Sequence, residues 1–241
     1  MNDQKYLANH YKGLGLLRND FRNYNLTNLI VSKIKRGSVL DIGCGNGHLL
    51  SLLKKRGFAV YGIEPNQELI KLAKGMDKDL QITNGYAEHL AKIRRKFDNI
   101  TMIDVLEHIK EDEQQVKMVY DHLKPHGQII LVIPAFQFLY GKRDKSGGHY
   151  RRYSVSEIER KLTNAGFAIK LARYWNMLGF FPYLISEKVL RKELNSNLRT
   201  DGKKGILSSA AVKMLNCWFK YIENNLRFGF GLSLLCIAEK R

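Results

Sequence analysis

The chain alternates between short apolar runs and segments in which apolar residues recur every three or four positions. The apolar runs predict seven strands, at Ser38–Ile42, Phe58–Ile63, Leu80–Thr83, Phe97–Ile103, Gln128–Ile133, Phe167–Tyr174 and Phe230–Ala238. The helical spacing predicts helices at 1–36, Gly47–Arg56, Asn66–Lys74, Lys110–Leu123 and Ser154–Gly166. Because strands alternate with helices, we predict an α/β fold, a doubly wound and mostly parallel sheet with helices on both faces.

Residues 175–228 break this alternation. Two apolar stretches, Trp175–Leu190 and Ile206–Leu226, flank a polar segment at 191–205 whose composition is typical of a loop. We therefore predict four segments along the chain. They are an N-terminal helical segment at 1–36, a core at 37–174, a helical cap at 175–228 inserted before the last strand, and that strand at 229–241.

The charge of the chain is unusual for a protein of otherwise ordinary composition. Its 241 residues include 40 Lys and Arg against 23 Asp and Glu, which gives a net charge of +17. Such an excess predicts an anionic partner, whether nucleic acid, phosphate groups or an anionic membrane surface. A Lys-rich composition spread over solvated faces would give the same total, so charge alone does not choose.

Membrane-spanning and disulfide-bonded classes are not expected. The longest apolar stretches are broken by polar residues or too short to span a bilayer, and the first residues lack the apolar core of a signal peptide. Cys44, Cys217 and Cys236 lie far apart, without the spacing of a zinc site. We expect a cytoplasmic protein, with peripheral contact at the inner membrane face left open, and no metal.

The most informative segment follows the first predicted strand. Asp41 lies near the end of that strand, and Gly43, Gly45 and Gly47 follow at alternate positions. Glycine permits a tight turn and close approach of a ligand to the main chain, and the free N–H groups of the next helix face the same space. The dehydrogenase pattern GxGxxG has a different spacing. The segment predicts a loop that holds a nucleotide-like cofactor.

This DxGxGxG pattern resembles the cofactor loop of the class I S-adenosylmethionine (SAM)-dependent methyltransferases. Further segments are similar to that family in order and spacing, at 84–88, 97–100, 104–108 and 123–128. The resemblance covers about 37–174 together with 230–239. It implies a Rossmann-like fold, SAM as the cofactor and S-adenosylhomocysteine as the product.

The resemblance also implies a cofactor site. Asp41 would accept a hydrogen bond from the amino group of SAM, directly or through water, Glu64 would bind both ribose hydroxyls, and Asn66 would lie near the adenine. Tyr86 stands where the family usually has an acid, so Glu88 or a main-chain carbonyl would make that adenine contact. The implied cofactor residues are Asp41, Gly43, Cys44, Gly45, Asn46, Gly47, Glu64, Pro65, Asn66, Ala87, Glu88, Asp104 and Val105.

The acceptor is expected at the carboxyl ends of the strands, beside residues 134–153. This segment contains five Lys or Arg residues, a histidine and five aromatic residues. Its end, GHYRRY at 148–153, resembles a branch of the family associated with cell-surface saccharide or lipid-linked pathways. The predicted acceptor-binding residues are Tyr140, Arg143, His149, Tyr150, Arg151 and Arg152.

The two adjacent arginines have two interpretations. Arg151 and Arg152 precede a predicted helix and could bind a phosphate or carboxylate in a bidentate manner. They could equally form surface ion pairs with Asp144, Glu157 or Glu159.

Two histidines are candidate catalytic groups. His149 is the leading candidate for a general base, because an unperturbed histidine titrates near working pH. His108 is either a base or acceptor contact at the mouth of the site, or a structural residue that braces the next helix. An acceptor that is already ionised would need no base.

These observations predict O-methylation of a small or lipid-linked anionic acceptor. Basic residues beside the apolar stretches of the cap are similar to a membrane-surface element, at Lys188, Arg191, Lys192, Lys203 and Lys204. One alternative is an RNA or other nucleic-acid methyltransferase, which the charge favours, although residues 104–107 replace the (D/N)PPY motif of DNA amino-methyltransferases. Another is a protein that binds SAM without catalysis.

Overall fold

Seven strands form one sheet in the computed structural model, which describes residues 21–190 and 206–241. The strands are β1 Ser38–Ile42, β2 Ala59–Glu64, β3 Gln81–Asn84, β4 Phe97–Ile103, β5 Leu123–Pro134, β6 Phe167–Trp175 and β7 Ser233–Lys240. Their order across the sheet is β3-β2-β1-β4-β5-β7-β6. The first five pair in parallel, and β7 runs antiparallel to both β5 and β6. The predicted seven-stranded, mostly parallel α/β fold is confirmed.

Helices connect the strands and cover both faces of the sheet. They are α1 Phe21–Lys33, α2 His48–Lys54, α3 Gln67–Met76, α4 Asp112–Asp121, α5 Lys142–Ser146, α6 Val155–Asn164, α7 Met177–Leu184 and α8 Ile206–Cys217. Single π-helical turns continue α7 at Ile185–Val189 and α8 at Trp218–Glu223. The start of α6 follows from the sequence, because the Ser154 hydroxyl accepts a hydrogen bond from the Glu157 N–H, as an N-cap residue should.

The central strand β5 shows how the sheet is buried on both faces. Ile129, Leu131 and Ile133 pack into one apolar cluster, whereas Ile130 and Val132 pack into the other. All five side chains are fully buried. Burial of each contributes about 1.5–3 kcal/mol to folding, which is why an unbroken apolar run occupies this position.

The cap is joined to the sheet through Trp175 at the end of β6. Trp175 is fully buried, and its ring centroid lies 5.0 Å from that of Phe219. Glu223 links the two cap pieces, because its carboxylate accepts the Met177 N–H at 3.0 Å and the Trp218 Nε1–H at 2.8 Å. The division of the chain into four segments stays a prediction.

Some predicted features are shifted or lie outside the described residues. β5 begins earlier than predicted, at Leu123, because Leu123 pairs with Phe97 before the register shifts between Phe97 and Asn99. β7 begins later, at Ser233. The N-terminal segment before residue 21 and the polar segment 191–205, with its four basic residues of the membrane-surface element, lie outside the described residues. Within the described part, no helix is both long and apolar enough to cross a membrane.

One edge of the sheet collects the segments predicted to carry chemistry. The carboxyl ends of the parallel strands β1, β2, β4 and β5 meet there, and the strand order reverses between β1 and β4. Open α/β sheets bind their ligands at such a reversal. The loop after β1, the end of β2 and the segments after β4 and β5 therefore surround one candidate site.

Candidate active site

The loop after β1 is a tight turn that only glycine fits. Gly43, Gly45 and Gly47 have φ values of 74°, 55° and 73°, a region that favours glycine. A Cβ on Gly43 would lie 2.4 Å from Val105 Cγ2, so the loop packs directly against the segment after β4. The N–H groups of Gly43 and Cys44 both donate to the Ile63 carbonyl, at 2.8 and 3.1 Å. These bonds tie the loop to the end of β2.

Glu64 lies at the end of β2 and is held by two main-chain groups. One carboxylate oxygen accepts the Gly45 N–H and the other accepts the Asn66 N–H, both at 2.9 Å. Burial raises the pKa of Glu64, and the two amide hydrogen bonds oppose that rise. Each carboxylate oxygen has a further lone pair, so both oxygens retain capacity for two adjacent hydroxyl donors.

Asp41 lies beneath the loop and is also buried. The Thr101 hydroxyl donates to its Oδ1 at 2.6 Å. Burial raises the pKa of Asp41 to about 7, opposed by the Thr101 hydrogen bond and aided by the charge of Glu64. Its carboxylate form gains from a cationic partner, such as an ammonium group. The same surroundings raise the pKa of the buried Cys44 thiol, chiefly through burial, which makes it unreactive.

The other implied cofactor residues lie around these two acids. Asn66 caps α3, because its Oδ1 accepts the N–H groups of Glu68 and Leu69 at 2.9 and 3.3 Å. Ala87 is buried at the start of a 3-10 turn, Ala87–Lys92, whereas Glu88 is exposed. The adenine contacts of Asn66 and Glu88 stay predictions.

Asp104 follows β4 with a positive φ of 52°. Its carboxylate accepts two hydrogen bonds from the Arg22 guanidinium of α1, at 3.1 and 3.3 Å. Arg22 also donates to the Ser233 hydroxyl at 3.3 Å. Sequence reasoning missed Arg22, since nothing in its local pattern marks it as a partner of this edge.

The acceptor side is organised around His149. Its Nδ1 lies 2.9 Å from Asp144 Oδ1, and Arg152 Nε donates to both Asp144 oxygens at 2.9 Å. Although burial alone would raise it, the hydrogen bonds from His149 and Arg152 lower the pKa of Asp144 well below its usual range. Asp144 is therefore ionised and accepts from His149 Nδ1–H, and in the neutral imidazole that makes this bond Nε2 carries the lone pair. Sequence reasoning did not assign Asp144 a role beside His149.

Arg152 is placed differently from the first of its two interpretations. Its side chain is buried, and its Nη atoms donate to the Ala135 carbonyl and the Tyr183 hydroxyl. Its donors are used inside the fold, with Asp144 as the carboxylate partner, and its predicted contact with the acceptor stays a prediction.

Arg151 is likewise engaged by the protein. It donates to the Lys110 carbonyl at 2.8 Å and pairs with Asp112 at 3.1 Å. This is an ion pair with a carboxylate that the sequence interpretation did not consider. Its side chain keeps partial exposure, so its predicted role in acceptor binding stays a prediction.

The two candidate catalytic histidines lie together. The rings of His108 and His149 meet edge to face, with centroids 4.6 Å apart. Loss of hydration, then the charge of His149, lowers the pKa of His108 to about 4, so its ring is neutral at physiological pH. Tyr140 donates its hydroxyl to the His149 carbonyl at 2.7 Å, and the exposed Tyr150 donates its N–H to the Glu107 carbonyl at 2.8 Å. These bonds connect Tyr140 with His149 and Tyr150 with Glu107, and Arg143 of α5 is half-buried.

Comparison with known proteins identifies the class. A family model described as "Methyltransferase domain" matches residues 17–171. A curated ubiquinone biosynthesis O-methyltransferase of Coxiella burnetii is 34% identical over 100 residues, which covers 40% of this chain and 43% of that protein. The chain thus matches less than half the length of this curated relative.

Solved structures agree in fold. A SAM-dependent methyltransferase of Thermotoga maritima, described as a possible histamine N-methyltransferase, has a TM-score of 0.59 and 21% identity, and covers 97% of this chain and 95% of its own. Phosphoethanolamine N-methyltransferase 2 of Haemonchus contortus, solved in complex with SAM, has a TM-score of 0.58 and 19% identity, and covers 90% of this chain and 52% of its own.

The chain belongs to the methyltransferase-domain family, and the predicted class, SAM-dependent methyltransferase, is confirmed. The described residues fit the cofactor of that class. The glycine loop, whose free space a Cβ would fill, and the buried Asp41 beneath it match the amino acid group of SAM. The Glu64 carboxylate beside the loop matches its ribose.

Proposed function

We propose that this protein is a SAM-dependent O-methyltransferase for a small or lipid-linked anionic acceptor. The observation that carries the proposal is the acceptor-side histidine, His149, with Nδ1 on the ionised Asp144. A histidine held in this way presents Nε2 to accept the proton of a hydroxyl as its oxygen is methylated. The curated relatives named O-methyltransferases support oxygen as the methylated atom.

Most of the catalysis is assigned to positioning. SAM supplies a methyl group that is already activated. Asp41 and Glu64 hold and orient the two ends of the cofactor, while residues 134–153 hold the acceptor oxygen in line. Orientation of this kind is worth about 7–11 kcal/mol of the barrier.

Recognition of an anionic acceptor is assigned to the basic residues of α5. Lys142 and Lys145 are exposed there beside Arg143, whereas Arg151 and Arg152 have protein carboxylates as partners. The resemblance of residues 148–153 to the GHYRRY branch supports a saccharide-linked or lipid-linked acceptor. An ionised phosphate or carboxylate oxygen would need no proton acceptor, and His149 would then only position it.

Contact with an anionic membrane is part of the proposal. Phe181, Ile185 and Val189 are exposed on α7 and the turn that follows it, an apolar surface beside the exposed Lys188. With the net charge of +17, this supports peripheral binding at the inner membrane face of the cytoplasm. Co-sedimentation with vesicles of anionic or of neutral lipid tests it, and Phe181→Ser with Val189→Ser should weaken binding to the anionic vesicles.

The function itself is tested with methyl-labelled SAM and three sets of acceptors. These are small hydroxyl compounds and acids, lipid-linked saccharides, and RNA. We expect label on oxygen in the first or second set, with transfer by Glu64→Gln strongly reduced at SAM concentrations that saturate the wild type. For hydroxyl acceptors, His149→Gln should lower kcat by about 10²–10⁴-fold.

The other outcomes select the alternatives. Label in RNA would replace the proposal with a nucleic-acid methyltransferase. Saturable SAM binding without turnover on any set would favour a SAM-binding protein without catalysis.

A further inference from the structure

Glu107 is the least satisfied polar side chain at the edge of the sheet. It lies in the 3-10 turn Leu106–His108, its exposure is 0%, and neither carboxylate oxygen has a hydrogen-bond partner among the residues that the structure describes. A buried carboxylate without a hydrogen-bond partner must hold a proton or meet a cation.

Two imidazoles face this carboxylate. One carboxylate oxygen of Glu107 and one ring nitrogen from each of His108 and His149 all lie within 4.8 Å of one another. Ligand atoms held at about 2.0–2.2 Å by one transition-metal ion lie roughly 3–4 Å apart. Small side-chain rotations would therefore bring the three atoms to ligand distances. His108 is exposed, which leaves a path from solvent to the cluster.

His149 is already oriented as a metal ligand would be. When its Nδ1–H donates to Asp144, the neutral ring has its lone pair on Nε2, the atom that would coordinate. Asp144 is in turn fixed by Arg152. A carboxylate behind a histidine in this way sets the tautomer and ring direction of metal-binding histidines.

The charges around the cluster leave a cation as the missing partner. Arg22 is paired with Asp104, and Arg152 is paired with Asp144. The two guanidinium groups whose charge lowers the pKa of Glu107 are thus bonded to other carboxylates.

We propose that Glu107, His108 and His149 bind one divalent transition-metal ion, with Zn²⁺ as the best match to their donor atoms. One carboxylate and two imidazoles are the protein ligands of known catalytic zinc sites, which keep a coordination position open. From the cysteine spacing we expected no metal. That expectation left these three residues out, since His149 is far from Glu107 in sequence.

An ion at this site gives the acceptor side a second way to activate oxygen, a consequence that rests on the proposed function. An acceptor hydroxyl bound to the ion has a lowered pKa and loses its proton to water. The oxygen then forms its bond to the methyl carbon as the sulfur–methyl bond breaks. His149 Nε2 is in that state a ligand rather than the proton acceptor.

Metal binding is tested on the chelator-treated full-length protein by calorimetric titration with Zn²⁺, with Mg²⁺ for comparison. We expect one Zn²⁺ per chain and much weaker binding of Mg²⁺. Glu107→Gln and His149→Asn should each weaken Zn²⁺ binding by more than about tenfold, and Asp144→Asn by about 10–100-fold. His126→Asn is the matched control, because its side chain is 82% exposed on the turn within β5 and outside the cluster.

Two further readouts keep the test decisive. Co²⁺ bound by imidazole has visible absorption bands, which Glu107→Gln should change and His126→Asn should not. SAM binding by every variant should stay unchanged, so loss of metal binding is not a folding defect.

Zn²⁺ affinity that is absent, or equal in wild type, Glu107→Gln and His149→Asn, would overturn the site while leaving the proposed function intact. Zn²⁺ binding that depends on these residues, in a protein without methyl transfer, would support the site and refute the proposed function instead.

Discussion

Two buried glutamates at the same edge of the sheet are held in opposite ways. Glu64, after β2, gives each carboxylate oxygen a main-chain N–H at 2.9 Å. Glu107, after β4, has no hydrogen-bond partner for either oxygen within the described residues. Burial raises the pKa of both, and at Glu64 the hydrogen bonds from the Gly45 and Asn66 N–H groups oppose the rise. A carboxylate that main-chain N–H groups hold in its ionised form can accept hydrogen bonds from neutral hydroxyl groups. A carboxylate without hydrogen-bond partners is stabilised instead by a proton or a cation.

The largest expected effect is at Glu64. Glu64→Gln puts an amide NH₂ against a main-chain N–H and removes a charged acceptor for the ribose. Loss of hydrogen bonds to a charged group should weaken SAM binding by about 100-fold, or about 3 kcal/mol. Equilibrium dialysis with labelled SAM measures it. Glu68→Gln on α3, an exposed acid, is the control, and equal affinity of the two variants would contradict the assignment of Glu64.

The next effect is at the glycine loop. Gly43→Ala combines a φ of 74° with a Cβ that would lie 2.4 Å from Val105 Cγ2. Left-handed strain and crowding should lower the free energy of unfolding by about 2 kcal/mol, measured by denaturant titration. Gly75→Ala within α3 is the matched control, because a Cβ there meets nothing within 4 Å. This control should be neutral or stabilise the protein by up to about 1 kcal/mol. A similar loss of unfolding free energy in both variants would contradict the role given to Gly43.

A smaller effect concerns pH. The pKa of Asp41 is raised to about 7, so its acid form is the one present below that pH. The contribution of Asp41 to stability is therefore full below its unfolded pKa and is lost as pH rises through about 7.

Binding of SAM should have the opposite pH dependence. The cofactor's ammonium group requires the carboxylate form, so SAM should bind about tenfold more weakly at pH 6 than at pH 8. Titrations at both pH values measure this ratio in the wild type and in Asp41→Asn. A ratio near one in the wild type, or an unchanged ratio in Asp41→Asn, would contradict the role of Asp41.

The smallest effect separates two roles of Asn66. Asn66→Ala should cost about 1 kcal/mol of stability, since its Oδ1 caps α3. If capping is its main role, Asn66→Asp should restore the stability and SAM affinity should change less than about threefold. Loss of SAM affinity in both variants, measured by equilibrium dialysis, would instead favour the predicted adenine contact.

The sequence predicted the cofactor half of the site better than the acceptor half. Asp41, the three glycines and Glu64 lie within 24 positions, on consecutive elements whose periodicity is clear. Local pattern and family resemblance therefore place them together.

The acceptor half depends on contacts between distant segments. Asp144 meets both Arg152 and Tyr183 of the cap, and Asp104 meets Arg22 across 82 positions. No local pattern encodes these pairs. Likewise, the antiparallel direction of β7 follows from how the cap returns the chain to the sheet, which periodicity does not record.

The most direct test of the account is a calorimetric titration of the purified protein with SAM and with S-adenosylhomocysteine. We predict saturable binding of one molecule per chain for each, weakened about 100-fold in Glu64→Gln and unchanged in Glu107→Gln. Such a result would confirm that Glu64 binds the cofactor and that Glu107, the second buried carboxylate at this edge of the sheet, has another partner. No heat of binding from either ligand at millimolar concentration, or equal loss of binding in both variants, would contradict that assignment.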